Sequence, residues 1–405
     1  MNDSHSDRAE ISPPVLDQAS LDQLSAAARS HVEELDTELH RLWGLGRNII
    51  LAWTPAGNGV RVLVIPHYIL GEMAAHTGID SEIEDSLQFV DEVIAGHTLA
   101  DDEGFDSIAK YFGYEPRLIE LSFAPGTDLS NDLIESVVRR YSISYIRNGA
   151  VALFDIVGFS LFSPLEQVTQ LNSLAYSVNA SFSKMLARNL DIQFARSTTG
   201  DGFYIWNRDR SVESNVNLYH LMHLVLADNA IARSKGKANT TPRLRASFHV
   251  GPHYEFFQSE GLSPTVYSYI VGDVTIELAR MIDQALPGQI LVGDFHVDMR
   301  EGDTGEISHI GTSEFIERTR QSLSNLEGIV LSGENVESIQ CYLTGERLDS
   351  GDFGVKRYLL RDKHGLTRKV YNAKVNIYRS GGGPIYLGFQ TGDLDGFVFE
   401  DEEYT

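Results

Sequence analysis

The 405-residue chain sets 57 acidic side chains against 33 Lys and Arg, a net charge of −24, which argues against a general binder of nucleic acid or anionic membrane, since phosphate contacts need basic surface. Its 42% apolar content is enough for a buried core, and its single cysteine, Cys341, excludes an internal disulfide framework and a cysteine-rich zinc site. No run approaches the ~18 apolar residues that span a bilayer, and the N-terminus lacks the basic-then-apolar pattern of a secretory signal, so the expectation is a soluble, cytoplasmic protein of two or three domains.

Residues 1–20, polar and interrupted by Pro13-Pro14, read as a flexible leader. An N-terminal domain of unassigned role follows over 21–145. Apolar residues at Leu24, Ala27, Val32, Leu35, Leu39 and Leu42 predict a helix within Leu21–Trp43. Asn48–Trp53 and Val60–Ile65 flank the turn cluster 55–59 and predict a hairpin. Residues 70–135 mix short helical patterns with acidic loops and hold no chemical motif.

Residues 146–298 read β-α-β-β-α-β-β-α-β, an α+β layered domain. A strand over Ala150–Asp155 leads to a helix opened by Pro164, with an apolar stripe at Leu165, Val168, Leu171, Ala175, Val178, Phe182 and Met185. Strands Ile192–Ser197 and Phe203–Trp206 are joined by Thr-Thr-Gly-Asp-Gly, a hairpin signal. A helix over Leu218–Ala232, strands Leu244–Val250 and Val266–Val271, a helix over Val274–Ala285 and a closing strand Gln289–Val292 complete the domain. Residues 301–405 are expected to form a third, mainly-β domain. Its segment 355–379 carries Lys356, Arg357, Arg361, Lys363, Arg368, Lys369, Lys374 and Arg379 against one acid, Asp362. That segment could sense an anionic signal, form a solvated strand face, or dock onto the acidic remainder of the molecule.

Two acids carry the chemistry. Asp155 ends a buried strand and Asp201 sits in the glycine turn of the neighbouring hairpin. Each alone is a common turn residue, but together they could hold a pair of divalent cations against a polyphosphate, because magnesium accepts one or two protein carboxylates and takes the rest of its shell from phosphate and water. Gly158, Phe159 and Ser160 lead from Asp155 toward the helix, and their N–H groups could cradle a triphosphate. Arg280, on an otherwise apolar helix, could stabilise transition-state charge, or could form an ion pair with Glu277 or Asp283. His249, His253 and His364 match no zinc spacing.

In order, Phe154-Asp155-Ile156-Val157-Gly158-Phe159-Ser160, Gly200-Asp201-Gly202-Phe203, Leu244–Gly251, Ile270–Asp273 with Ala279-Arg280-Met281, and Gly288–Val292 resemble the catalytic domain of class III nucleotidyl cyclases. The resemblance implies a ferredoxin-like core, two metal ions (Mg2+ or Mn2+), and a homodimer with active sites at its interface. It also implies cyclisation of a nucleoside triphosphate with release of pyrophosphate. On it, Asp155 and Asp201 are metal ligands, Ile156 offers a backbone carbonyl, and Arg280 is the transition-state arginine. The pattern departs from purine cyclases at three places: Ser197, between Arg196 and Thr198, replaces a Lys or Glu base reader; Tyr269 replaces an Asp; Ile276 replaces an Asn.

An aromatic such as Tyr269 could fill the volume that a purine would need, while Arg196, Ser197 or Thr198 reads a pyrimidine edge. The stretch 196–207, with 163–172 upstream, is similar to the bacterial pyrimidine cyclases of the Pycsar anti-phage systems. In those systems cyclic CMP or cyclic UMP activates a separate effector, and residues 355–390 resemble the sensor-like domain that accompanies such cyclases. CTP and UTP both remain open as substrate. So do a purine cyclase with an unusual pocket and a catalytically silent, regulatory cyclase-like domain.

Overall fold

A computed structural model describes residues 24–75, 89–190, 192–209, 211–236, 239–259, 266–302, 304–346, 354–362 and 365–404. The expected leader, Lys363 and His364 lie outside these residues. The helices in chain order are α1 (Ala26–Trp43), α2 (Tyr68–Ala75), α3 (Asp102–Phe112), α4 (Asn131–Val138), α5 (Pro164–Leu186), α6 (Val212–Lys235), α7 (Asp273–Gln284) and α8 (Thr312–Ser322). The strands are β1 (Asn48–Pro55), β2 (Gly59–Pro66), β3 (Arg117–Glu120), β4 (Ile143–Ile156), β5 (Phe194–Thr198), β6 (Gly202–Asn207), β7 (Leu244–Ser259), β8 (Val266–Val271), β9 (Ile290–Gly293), β10 (His296–Arg300), β11 (Ile307–Gly311), β12 (Val330–Leu331), β13 (Glu334–Leu343), β14 (Lys356–Arg361), β15 (Thr367–Arg379), β16 (Ile385–Gly388) and β17 (Asp401–Tyr404). They fall into two compact units: Met1–Arg147 with His253–Val271, and Asn148–Pro252 with Gly272–Thr405.

In the first unit the expected hairpin forms. β1 and β2 pair antiparallel and β3 adds to β2. Ser25 opens α1 by accepting the Ala28 N–H at 3.1 Å, and Gly44, at φ 58°, closes it in the left-handed conformation that glycine tolerates. Alternation along β1 and β2 supplies two cores. Val60 and Val62 pack with Leu35 and Leu39 of α1 and Ile134 of α4, while Leu51 and Leu63 pack with Phe105 of α3. Glu135 of α4 is buried, and it accepts from Trp53 Nε1 at 2.6 Å, from Thr98 N at 2.7 Å and Oγ1 at 2.8 Å, and from Leu99 N at 3.0 Å. These bonds satisfy a carboxylate that would otherwise be costly inside the fold.

The second unit holds the expected α+β core. Its strands run β7-β4-β6-β5, the order 4-1-3-2 of a ferredoxin-like sheet, with α5 crossing from β4 to β5 and α6 from β6 to β7. Ser163 begins α5 with a capping box: its hydroxyl accepts the Glu166 N–H, and the Glu166 carboxylate accepts the Ser163 N–H at 2.9 Å. The buried face of α5 differs from the expected stripe. Leu174, Val178, Ser181 and Met185 are buried, whereas Leu165 is 77% and Val168 54% exposed. The expected stripe opens with two steps of three, and on a helix of 3.6 residues per turn such short steps carry Leu165 and Val168 round and away from the core face.

The sheet does not stop at the expected C-terminal boundary. β9 pairs parallel with β7 on one side and antiparallel with β15 on the other, Ile290 opposite Ala373 and Gly293 opposite Val370. β13 and β12 continue beyond β15. One hydrophobic cluster runs from Ala150 to Leu387, so residues 301–405 share both a sheet and a core with the strands before them.

Candidate active site

Asp155 lies at the end of β4, two residues from Leu153 on the same face of the sheet, and is 7% exposed. It sits opposite Gly202 in the β4–β6 register, and the Ile156 N–H donates to the Asp201 carbonyl at 2.9 Å. These contacts fix the hairpin tip, and with it Asp201, beside the strand end. Two glycines allow this. A Cβ on Gly202 would lie 1.8 Å from the Phe154 carbonyl oxygen, and Gly200 takes φ 99° in the turn. Thr199 Oγ1 donates to Asp201 Oδ1 at 3.1 Å.

Burial pushes the Asp155 carboxyl above its ordinary range, Arg245 pulls it down, and Asp201 and Asp283 push it up again. Arg245 Nε donates to Asp155 Oδ2 at 2.6 Å, while its Nη1 donates to the Ala285 carbonyl just past α7 at 3.1 Å. Arg245 was not singled out from the sequence. It sits 90 positions from Asp155, and only the sheet register brings the two together.

Gly158 adopts φ 69° and starts a short 3₁₀ turn, Phe159–Leu161. Gly158 and Ser160 are exposed and Phe159 is half-buried. The first N–H groups of a helical turn have no partner within it, so this segment presents donors next to Asp155.

Arg280 projects from α7 with its side chain 24% exposed. Its ion-pair partners are Asp283, with Nη1 3.5 Å from Oδ2, and Asp362 of the C-terminal segment, with Nε 3.7 Å from Oδ2. Glu277, the other partner foreseen from the sequence, pairs instead with Arg368 at 2.8 Å.

The residues expected from the sequence to read a base divide by face. Ser197 stands opposite Tyr204, and Tyr204 opposite Leu153, so Ser197 shares the face of Asp155. Tyr204 Oη donates to the Thr275 carbonyl at 3.0 Å, which ties this face to α7. Arg196 and Thr198 point to the other face. There Arg196 donates to Asn179 Oδ1 of α5 at 3.2 Å and lies 5.6 Å over the Phe203 ring. The Thr198 hydroxyl accepts the Gly200 N–H at 3.0 Å. Tyr269 belongs to the first unit, on β8, 38% exposed and stacked on Phe256 at 5.7 Å.

Among the described residues no group of three or more His, Cys, Asp or Glu side chains is arranged to hold a metal ion. The donors that fit one are Asp155, Asp201 and the Ile156 carbonyl. The charge of Asp201 pushes the Asp155 carboxyl up; a divalent cation there would relieve that repulsion, and phosphate and water can complete its shell. No helix among the described residues is long and apolar enough to cross a membrane.

No family model matches the chain, and no curated protein matches it. Solved structures do. The guanylate cyclase domain of RhGC from Catenaria anguillulae, in complex with GTP, aligns at 14% identity and a TM-score of 0.32, covering 58% of this chain and 98% of that one. The guanylyl cyclase domain of the RhoGC fusion protein from Blastocladiella emersonii aligns at 14% identity and a TM-score of 0.32, covering 56% and 97%. The adenylyl cyclase CyaB from P. aeruginosa aligns at 12% identity and a TM-score of 0.29, covering 58% and 97%. Scores this low leave the functional reading to the residues of this chain.

Proposed function

We propose that the chain is a nucleotide cyclase that converts a pyrimidine nucleoside triphosphate, CTP or UTP, to its 3′,5′-cyclic monophosphate and pyrophosphate. The observation that carries this reading is the pairing of Asp155 with Gly202, which sets the strand-end acid beside the hairpin that carries Asp201 in a 4-1-3-2 sheet. Asp155, Asp201 and the Ile156 carbonyl would hold two divalent cations, magnesium or manganese, which neutralise charge on the attacking and leaving oxygens. The N–H groups of Gly158, Phe159 and Ser160 bind the polyphosphate. The ribose 3′-oxygen bonds to the α-phosphorus and loses its proton, and the bond from that phosphorus to the bridging oxygen breaks to release pyrophosphate. Arg280 donates to the charge that builds on the α-phosphoryl oxygens.

Ser197 supports the pyrimidine reading, because it places a short hydroxyl on the same face as Asp155. Arg196 and Thr198 are engaged on the other face, so of these three residues the reading assigns the base edge to Ser197. Exposed Leu161 (87%), Leu165 (77%) and Tyr176 (69%) give this unit an apolar surface that a second copy would cover, in keeping with a homodimer. The product would act on a separate cyclic-nucleotide-binding effector in anti-phage defence. A silent regulatory domain is the second reading; Ile276, which offers no donor, favours it.

The test is incubation of the purified protein with ATP, GTP, CTP and UTP and manganese, with products identified by mass. Cyclic CMP or cyclic UMP is expected, with loss of product in Asp155→Ala and Asp201→Ala and no change in oligomeric state. Cyclic AMP alone refutes the pyrimidine assignment. No cyclic product from any of the four favours the silent domain.

A further inference from the structure

Asp362, just after β14, and Arg368, on β15, both reach α7. Within the β14–β15 turn, the Asp362 N–H donates to the Leu366 carbonyl at 3.0 Å, and Asp362 Oδ1 accepts the Leu366 N–H at 3.0 Å. Gly365 takes φ 82° in the same turn. The second carboxylate oxygen faces away from the turn. Oδ2 accepts from Arg368 Nη1 at 2.9 Å and lies 3.7 Å from Nε of Arg280. Arg368 in turn reaches Glu277 at 2.8 Å, three residues before Arg280 on α7. Four alternating charges, Glu277, Arg368, Asp362 and Arg280, therefore join the hairpin to the helix.

The charge on Asp362 is more than the turn needs. An asparagine closes such a turn through the same oxygen. The Asp362 side chain is only 6% exposed, and a carboxylate that deep is costly unless cations face it. Among the described residues, Arg368 and Arg280 are cations within 4 Å of it. On Arg280, the carboxylate meets the inner edge of the guanidinium, Nε. The outer edge carries the two terminal nitrogens, of which Nη1 lies 3.5 Å from the half-exposed Asp283. Nε makes no hydrogen bond to the carboxylate, so Asp362 acts on Arg280 as a charge beside its inner edge and leaves the fork free for a phosphoryl group.

We infer that Asp362 is a positioning residue for the cyclase reaction: from the C-terminal hairpin it orients Arg280 with the terminal nitrogens toward the substrate. The inference rests on the proposed function, since Arg280 has a task only if charge builds on a phosphoryl group. It makes the β14–β15 hairpin a working part of the catalytic unit, so that any event displacing the hairpin would slow turnover without touching a metal ligand or the nucleotide.

Asp362→Asn tests it, because it keeps the acceptor for the Leu366 N–H and removes the charge. In the full chain with manganese and the accepted nucleotide, kcat is expected to fall between ~10- and ~100-fold, the scale of a misplaced catalytic group, with KM changed by less than about twofold. In an Arg280→Ala background the same substitution is expected to have no further effect, since residues acting as one unit are not additive. A kcat for Asp362→Asn within about twofold of the parent overturns the inference. So does an equal further loss in the Arg280→Ala background, which is what general damage to the fold would produce. A parent protein that forms no cyclic product sinks the cyclase reading itself; an active parent with an unaffected Asp362→Asn sinks only the role of Asp362.

Discussion

Replacing Arg245 with Ala separates the charge of Asp155 from the partner that holds it. The pair meets at 2.6 Å, with side chains 25% and 10% exposed. Removing one member of a buried pair costs about 3–5 kcal/mol, because the other charge is left uncompensated. Solvent reaches Arg245, so the lower range of a charge-assisted hydrogen bond, about 1.5–3 kcal/mol, is the better guide here. A loss of about 2–3 kcal/mol from the second unit is expected in metal-free buffer. A divalent cation on Asp155 should recover much of it. Binding at a hundredfold excess over Kd stabilises the native state by about 2.7 kcal/mol, and in the parent protein part of that is offset by competition with Arg245. Magnesium should therefore stabilise Arg245→Ala more than it stabilises the parent. Urea unfolding of both proteins, with EDTA and with magnesium, measures the two differences. A variant within about 0.5 kcal/mol of the parent, or an equal gain from magnesium in both, would refute the electrostatic account of this site.

Two further predictions concern the hairpin glycines and the buried acid of the first unit. Gly202→Ala drives a Cβ into the Phe154 carbonyl, so it should destabilise the β4–β6 pairing by at least the ~1–3 kcal/mol of an overpacked core, whereas Gly200→Ala, with open space around it but φ 99°, should cost only the ~1–2 kcal/mol of a left-handed alanine; unfolding midpoints rank the two, and the reverse order would contradict the register. Burial pushes the Glu135 carboxyl up, but hydrogen bonds from His97, Trp53 and Thr98 outweigh it and hold the group below its ordinary 4.5. Its stabilisation is therefore complete above about pH 4.5 and is lost as pH falls through the lower folded-state value, so the first unit of Glu135→Gln should show a flatter acid limb than the parent in urea midpoints measured across that window.

The two acids were legible from sequence because each stands at a local signal, one at the end of an apolar run and one in a glycine turn. Arg245 and Asp362 were not, because their roles are set by partners distant in the chain: 90 positions for Arg245 with Asp155, and a contact from a C-terminal turn to α7 for Asp362 with Arg280. α6 shows a different limit. Its pattern was expected to begin at Leu218, but the helix begins at Val212, capped by Ser211, and it buries Asn215, His220 and His223 beside its apolar residues. A helix enclosed on most sides has no polar face, so periodicity cannot mark where it starts. Burial pushes the His220 imidazole down to about 3 and His249 to about 4, so both rings are neutral in the fold near pH 7.

Domain boundaries were harder still, for a reason that the β9 edge makes plain. Ile290, Leu291 and Val292 are essentially inaccessible to solvent, with β7 on one side and β15 on the other. From sequence, β9 looked like a closing strand, because the chain after it turns polar and then basic. An apolar strand whose last ladder was unpaired would be an open edge, which folded proteins cover. What covers it is β15, whose Val370, Tyr371 and Ala373 are buried although Arg368, Lys369 and Lys374 flank them. Part of the basic set that suggested a separate surface is placed against acids of the same unit: Lys356 against Glu346 at 3.7 Å, Arg357 against Asp294 at 3.1 Å, Arg361 against Glu400 at 2.9 Å, and Arg368 against Asp362. Hydrophobic periodicity reports which face of a strand is buried, but the neighbour a strand chooses depends on which edges the rest of the fold leaves open. In this chain that choice is what carries Asp362 to Arg280.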